Sequence, residues 1–110
     1  MSGKKQLKTF ERDNLLVDII FQHKGKDNAI FMKQLATILT QKGYKTSVHS
    51  VNARVSKIVL ERHLPICSLG YYGYYWGASK QDFKDAIDEL QSKINGHQKR
   101  VDLLKSFIYE

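Results

Sequence analysis

Between Lys45 and Leu60 the chain carries no acidic residue. That stretch holds Lys45, Thr46, Ser47, His49, Ser50, Asn52, Arg54 and Lys57. These side-chain types suit the surface of a nucleic-acid duplex. Arginine can bond guanine through two parallel hydrogen bonds and asparagine can do the same to adenine, while hydroxyls and lysine hold phosphates. A carboxylate among them would repel the phosphates. Val48, Val51, Val55, Ile58 and Val59 recur at helical spacing and form an inward stripe. The other face then presents Thr46, His49, Ser50, Ala53 and Lys57, with Ser47, Asn52 and Arg54 at its flanks. Ser50 and Ala53 are small enough for the helix to sit close to a groove floor. The plainer alternative is an ordinary solvated helix face.

A second group is aromatic. Tyr71 and Tyr72 stand between Gly70 and Gly73, where exposed rings could lie against sugars or stack on bases. No Lys or Arg occurs between Leu64 and Ser79, so phosphate contact there would fall to phenol hydroxyls and backbone N–H groups. Catalytic patterns are weak. His23, His49, His63 and His97 lack metal-ligand spacing. Asp85, Asp88 and Glu89 lie beside Lys84, Gln91 and Lys93, as on a solvated helix face. Cys67, alone in the chain, reads as a small buried hydrophobe. Gly70, Gly73 and Gly77 lack the Lys and Ser/Thr of a phosphate-binding loop. No enzymatic activity, cofactor or metal site is expected.

The elements that must position these residues follow from hydrophobic period and from glycine and proline. Residues 1–8 read as a short, mobile basic arm with Lys4, Lys5 and Lys8. Leu15, Leu16, Ile19 and Ile20 predict a first helix over about 10–24. Residues 29–31 form either a short strand or the lead into a second helix over 32–42, which Gly43 ends. The third helix starts at an N-cap, Thr46 or Ser47, and runs to about Arg62. Pro65 forces Leu64 out of helical backbone. Ile66-Cys67-Ser68-Leu69 and Tyr74-Tyr75-Trp76 then predict a β-hairpin around a glycine-bracketed loop, with Trp76 in the core.

A last helix starts at Ser79, whose hydroxyl and Asp82 make a capping signal, and meets no proline before the chain ends. Phe83, Ile87, Leu90, Ile94, His97, Val101, Leu104 and Ile108 follow a heptad seam, polar only at His97. Asn95 and Gly96 weaken the helix there and allow a kink. Phe83, Ile87 and Leu90 are expected to pack on their own domain. Ile94, His97, Val101, Leu104 and Ile108, widened by Leu103 and Phe107, are left to pair with a second copy.

The expected class is mainly α with a small β-hairpin, an α+β fold: a winged helix-turn-helix domain over 9–78 and a long helix over 79–110. At 110 residues the chain has room for one domain. The formal charge of +7 favours a polyanionic partner. Residues 1–64 hold 12 basic and five acidic side chains, and residues 65–110 hold six of each, so the whole excess lies before Pro65. Lys33, Lys42, Lys45 and Lys57 are the candidate phosphate contacts. No segment is apolar enough to span a membrane, and the polar start Met1-Ser2-Gly3-Lys4-Lys5-Gln6 predicts no secretory signal. The cytoplasm is the expected location.

Asn52-Ala53-Arg54-Val55, Leu60-Glu61-Arg62, Pro65-Ile66-Cys67-Ser68 and Gly73-Tyr74-Tyr75-Trp76-Gly77-Ala78-Ser79 resemble a group of small winged-helix proteins. These are encoded by bacteriophages, prophages and plasmids of low-GC Gram-positive bacteria. Gln98-Lys99-Arg100 with Leu103-Leu104 is similar to their Gln-, Lys-, Arg- and Leu-rich tail. The resemblance spans about residues 30–107. It implies sequence-specific binding of double-stranded DNA, in transcriptional control or at a replication origin. The chain departs from the pattern at His63-Leu64, where a glycine is common, and at the loop 70–73, which lacks a basic tip. A rival expectation is a protein-binding module of the same fold that captures a host enzyme.

Overall fold

The structure is a computed structural model that describes the backbone of residues 2–70 and 72–109, and the side chains of 8–70 and 72–109. The described residues form four α-helices and a small antiparallel sheet. Their order is α1 (Ser2–Phe21), a 3-10 turn (Lys26–Asn28), β1 (Ile30–Phe31), α2 (Met32–Gln41), α3 (Val48–Arg62), β2 (Ile66–Leu69), β3 (Gly73–Trp76) and α4 (Lys80–Tyr109). The fold is mainly helical and of the α+β kind.

α1 begins at Ser2, where the sequence suggests a separate arm over 1–8. Nothing between Lys4 and Phe21 breaks a helix, and Lys, Gln and Leu are good helix formers. Of the two readings of residues 29–31, the strand is the one that forms. The sheet order is β1-β3-β2, so β1 adds a third strand to the expected hairpin. Ile30 faces Tyr74 and Phe31 faces Gly73, while Ile66, Cys67, Ser68 and Leu69 face Trp76, Tyr75, Tyr74 and Gly73. Gly73 belongs to the central strand for a steric reason: a Cβ there would collide with the Ile30 carbonyl.

The main core joins α1, α2, α3 and one face of the sheet through Leu16, Ile20, Leu35, Leu39, Val51, Val55, Ile58 and Tyr74. The α3 stripe faces inward as expected, except that Val48 at its start is exposed. The other face of the sheet carries a smaller cluster of Cys67, Tyr75 and Ala86, which brings in α4. A central strand covered on both sides explains why Tyr74 and Tyr75 are both buried, at 4% and 1% exposure. Trp76, expected in the core, is only half-buried and packs edge-on against Phe21 at 5.0 Å.

α4 starts where the sequence places it. Ser79 Oγ accepts from Asp82 N–H at 3.1 Å, and Asp82 Oδ2 accepts from Ala78 N–H at 2.9 Å. The helix runs without a break through Asn95 and Gly96. Its inward face differs from the expectation. Asp82 and Ala86 are the buried positions, and Tyr75 Oη donates to the Asp82 carbonyl at 3.1 Å. Phe83, Ile87 and Leu90 are instead 39%, 61% and 52% exposed. The reason is size: small Ala86 lets the helix backbone approach the sheet, which rotates the apolar seam to the side. Phe83 gains partial cover, its ring lying over Gly77. No described helix is long and apolar enough to cross a membrane.

Candidate nucleic-acid interface

The turn between α2 and α3 sets the site. Lys42 caps α2, and Gly43 takes φ +95°, a left-handed backbone that glycine adopts without steric cost. Ser47 is the N-cap of α3: its Oγ accepts from Ser50 N–H at 3.2 Å and contacts Ser50 Oγ at 3.1 Å. Thr46 Oγ1 donates to the Ser47 carbonyl at 3.4 Å. Both hydroxyl residues of the turn are therefore partly occupied by local structure. The α3 N-terminus adds free backbone N–H groups and the positive end of the helix dipole, which suits an anion.

Val51, Val55 and Ile58 face the core, so the opposite face of α3 presents His49, Asn52, Ala53, Ser56, Lys57 and Leu60, all exposed. Lys57 reaches Glu61 at 3.8 Å, an exposed pair that salt screens. Lys33, Lys42 and Lys45 are exposed around the same corner. Lys33, Thr46 and Ser47 line a shallow groove of about 440 Å³ between α2 and α3, together with Thr37, Thr40 and Gln41. His49 and Asn52 line a second cleft of about 540 Å³, whose far wall is the hairpin and α4.

That second cleft contains residues that sequence reasoning missed. Ser56, one helical turn beyond Asn52, could have been found from the period of α3. Ser68 and Lys93 could not, because only the packing of α4 on β2 brings them there. Lys93 also reaches Glu89 at 3.6 Å.

Comparison with family models, curated proteins and solved structures finds no match.

Two expected members do not present their polar groups as anticipated. Arg54 turns inward. Its Nε donates to Asp13 Oδ1 at 2.9 Å and its Nη2 to Asp13 Oδ2 at 2.6 Å, tying α3 to α1. Asp13 is 4% exposed, so two nitrogens of the guanidinium neutralise a buried carboxylate. Its hydrogen bonds to Asp13, more than any other influence, raise the Arg54 pKa above the ordinary value. The guanidinium expected at DNA thus has an ion-pair partner inside the fold. The helix position explains it: Arg54 precedes the buried Val55 and sits at the edge of the inward stripe. Asn52 keeps its exposed place, but its amide oxygen accepts a hydrogen bond from Tyr74 Oη. That bond fixes the amide so that its NH₂ group is the part left for another partner.

At the hairpin tip Tyr72 is 70% exposed. Its carbonyl accepts from Met32 N–H at 2.7 Å and its N–H donates to the Leu69 carbonyl at 3.1 Å. The tip is thus held against the start of α2 while the ring projects. Tyr71 lies outside the described residues. Among the described residues no group of three or more His, Cys, Asp or Glu could hold a metal ion. Cys67 is buried, and that burial pushes its thiol pKa up, away from reactive thiolate.

Proposed function

We propose that this chain binds double-stranded DNA sequence-specifically as a winged helix-turn-helix protein, with α3 in the major groove. The observation that carries the reading is the exposed face of α3, acid-free from Val48 to Leu60 and lying in the half of the chain that holds the whole net charge. The helix order and the β1-β3-β2 sheet agree with a winged-helix layout. His49 and the Asn52 NH₂ group are the candidate base contacts, with Ser50, Ala53 and Ser56 small enough for close approach. Lys33, Lys42, Lys45 and Lys57, the hydroxyls of Thr46 and Ser47 and the α3 N-terminus would hold phosphates. Tyr72 would lie along the sugar edge. A second copy joined through α4 would supply the second reading helix that a repeated site demands. On this reading the activity is transcriptional regulation or replication-origin binding in the cytoplasm, which the resemblance to mobile-element proteins supports.

The test is selection of bound duplexes from a random pool, followed by a salt titration on the selected site. If about four phosphates per chain are neutralised, log K falls against log salt with a slope near −3.6. His49→Ala with Asn52→Ala relaxes the selected sequence, whereas Lys45→Ala with Lys57→Ala weakens all sequences alike. No enriched sequence, or binding that ignores salt, overturns the reading. The second reading, a platform that captures a host enzyme, draws on the exposed seam of α4. A host protein recovered from lysate after nuclease treatment, and lost when that seam is substituted, would favour it.

A further inference from the structure

We infer that the far half of α4 pairs with a second copy of this chain as a parallel two-stranded coiled coil over residues 94–108. The inference rests on the pairing just proposed and fixes its direction and register. In this stretch the seam is Ile94, Val101 and Ile108 at one set of heptad positions and His97 and Leu104 at the other. The spacing of four residues into each of the first set, and three out of it, makes Ile94, Val101 and Ile108 the a positions and His97 and Leu104 the d positions. Every a residue is β-branched and the apolar d residue is leucine. In a parallel pair, where a meets a and d meets d, that combination fits two strands better than three or four.

The area agrees. Ile94, Val101, Leu103, Leu104, Phe107 and Ile108 are 58%, 42%, 57%, 59%, 70% and 75% exposed. Leu103 stays on the outer side of this register, and covering the other five removes on the order of 600 Å² per chain from water, the low end of the ~1,200–2,000 Å² total of a specific interface. Among the described residues of α4 the buried positions are Asp82 and Ala86, both near its start, and none lies in this half.

The flanks shape the behaviour. The positions beside the seam carry Gln98, Lys105, Lys93 and Arg100, with no acid among them. In a parallel pair Arg100 of one copy approaches Lys105 of the other. This like-charge contact is solvent-exposed, and salt screens it. Pairing therefore tightens as salt rises, opposite to the salt dependence expected for DNA. His97 meets its own counterpart across the axis, a polar layer that fixes register and weakens the pair relative to leucine.

The experiment is sedimentation of the full chain without DNA, up to about 100 µM, with mild oxidation of Leu104→Cys as the measure of direction. Cys67 is buried and does not interfere. The expected result is a reversible dimer that tightens with salt, tightens about tenfold in His97→Leu, and is weakened at least ~100-fold by Leu104→Glu with the body's thermal melt unchanged. Leu104→Cys cross-links to a covalent dimer, because parallel pairing sets the two d side chains together. A monomer throughout overturns the pairing and leaves the seam to a foreign helix. A dimer indifferent to Leu104→Glu overturns the interface, and a dimer without the cross-link overturns the direction. No outcome depends on DNA, so failure here leaves the DNA reading to its own test.

Discussion

The body of the chain and the far half of α4 draw on the same apolar residue types and leave them in opposite states. In the body, the stripes of α1, α2 and α3 meet one another and the sheet, so Leu16, Leu35, Leu39 and Ile58 are all at most 1% exposed. In the far half of α4, an equally regular stripe has no buried member among the described residues, and Leu104 stays 59% exposed. The difference is not in the pattern but in the anchor. Small Ala86 and capped Asp82 seat the start of α4 on β2, and that rotation turns the seam away from the sheet. A periodic apolar stripe thus shows that a helix buries a face, and the seat of the helix decides in what.

The largest effect that separates the two regions is expected at Arg54. Arg54→Ala removes the two-point partner of buried Asp13 and leaves it only Arg12 at 3.6 Å, so the body should lose about 3 kcal/mol of stability. Lys57→Ala, on the same helix but on its exposed face, should stay within about 0.5 kcal/mol of the parent. Urea denaturation checks both. Equal effects would mean that the Asp13–Arg54 contact does not tie α1 to α3. Because Arg54→Ala acts on the fold, any loss of DNA binding it causes is no measure of base reading.

Next is a pair of leucines. Leu35→Ala in the core is expected to cost about 2–5 kcal/mol, the loss of a buried side chain plus the cavity left behind. Leu104→Ala, measured at a concentration low enough to keep the chain monomeric, should cost less than about 0.5 kcal/mol. A large loss at Leu104 under those conditions would show that the far half of α4 contributes to the body after all.

Much of this contrast can be read in the residues, and the gaps have physical causes. Helical period locates α2, α3 and α4, and Gly43, Ser47 and Ser79 mark their ends, because caps are local chemistry. β1 is only two residues long and has no period of its own; it exists because β3 offers it an edge. The start of α1 is misplaced because the sequence shows an apolar face only from Phe10, while the helix backbone needs none. In the site, His49 and Lys57 are legible from the α3 stripe alone. Arg54 is not, since its partner Asp13 comes from α1, and a flanking arginine looks the same whether it serves a phosphate or a buried carboxylate. Lys93 and Ser68 reach the cleft only through tertiary packing.

Tyr74 gives the finest distinction, since it belongs to the core and also touches the candidate site. Burial pushes its pKa up from the ordinary value to about 12. In the unfolded chain the phenol ionises near its usual value of about 10. As pH rises from about 10 to about 12 the unfolded state loses this proton first, so folding stability falls through that window and is unaffected by Tyr74 below it. The fall attributable to Tyr74 is about 2–3 kcal/mol. Tyr75 is raised in the same direction by burial and adds to the loss. Tyr74→Phe should therefore cost only about 1 kcal/mol at neutral pH, one hydrogen bond to Asn52, and should remove part of the alkaline loss. The exposed Asn52 amide then exchanges its tyrosine partner for water. On the proposed reading this frees the amide to turn, so duplex affinity shifts at the positions it reads while the salt slope stays unchanged. Denaturation at pH 8 and pH 11.5, beside one binding titration, measures all three. An alkaline profile identical to the parent would place the hydroxyl in water in the folded chain, and with it would go the argument that Tyr74 holds Asn52 in place.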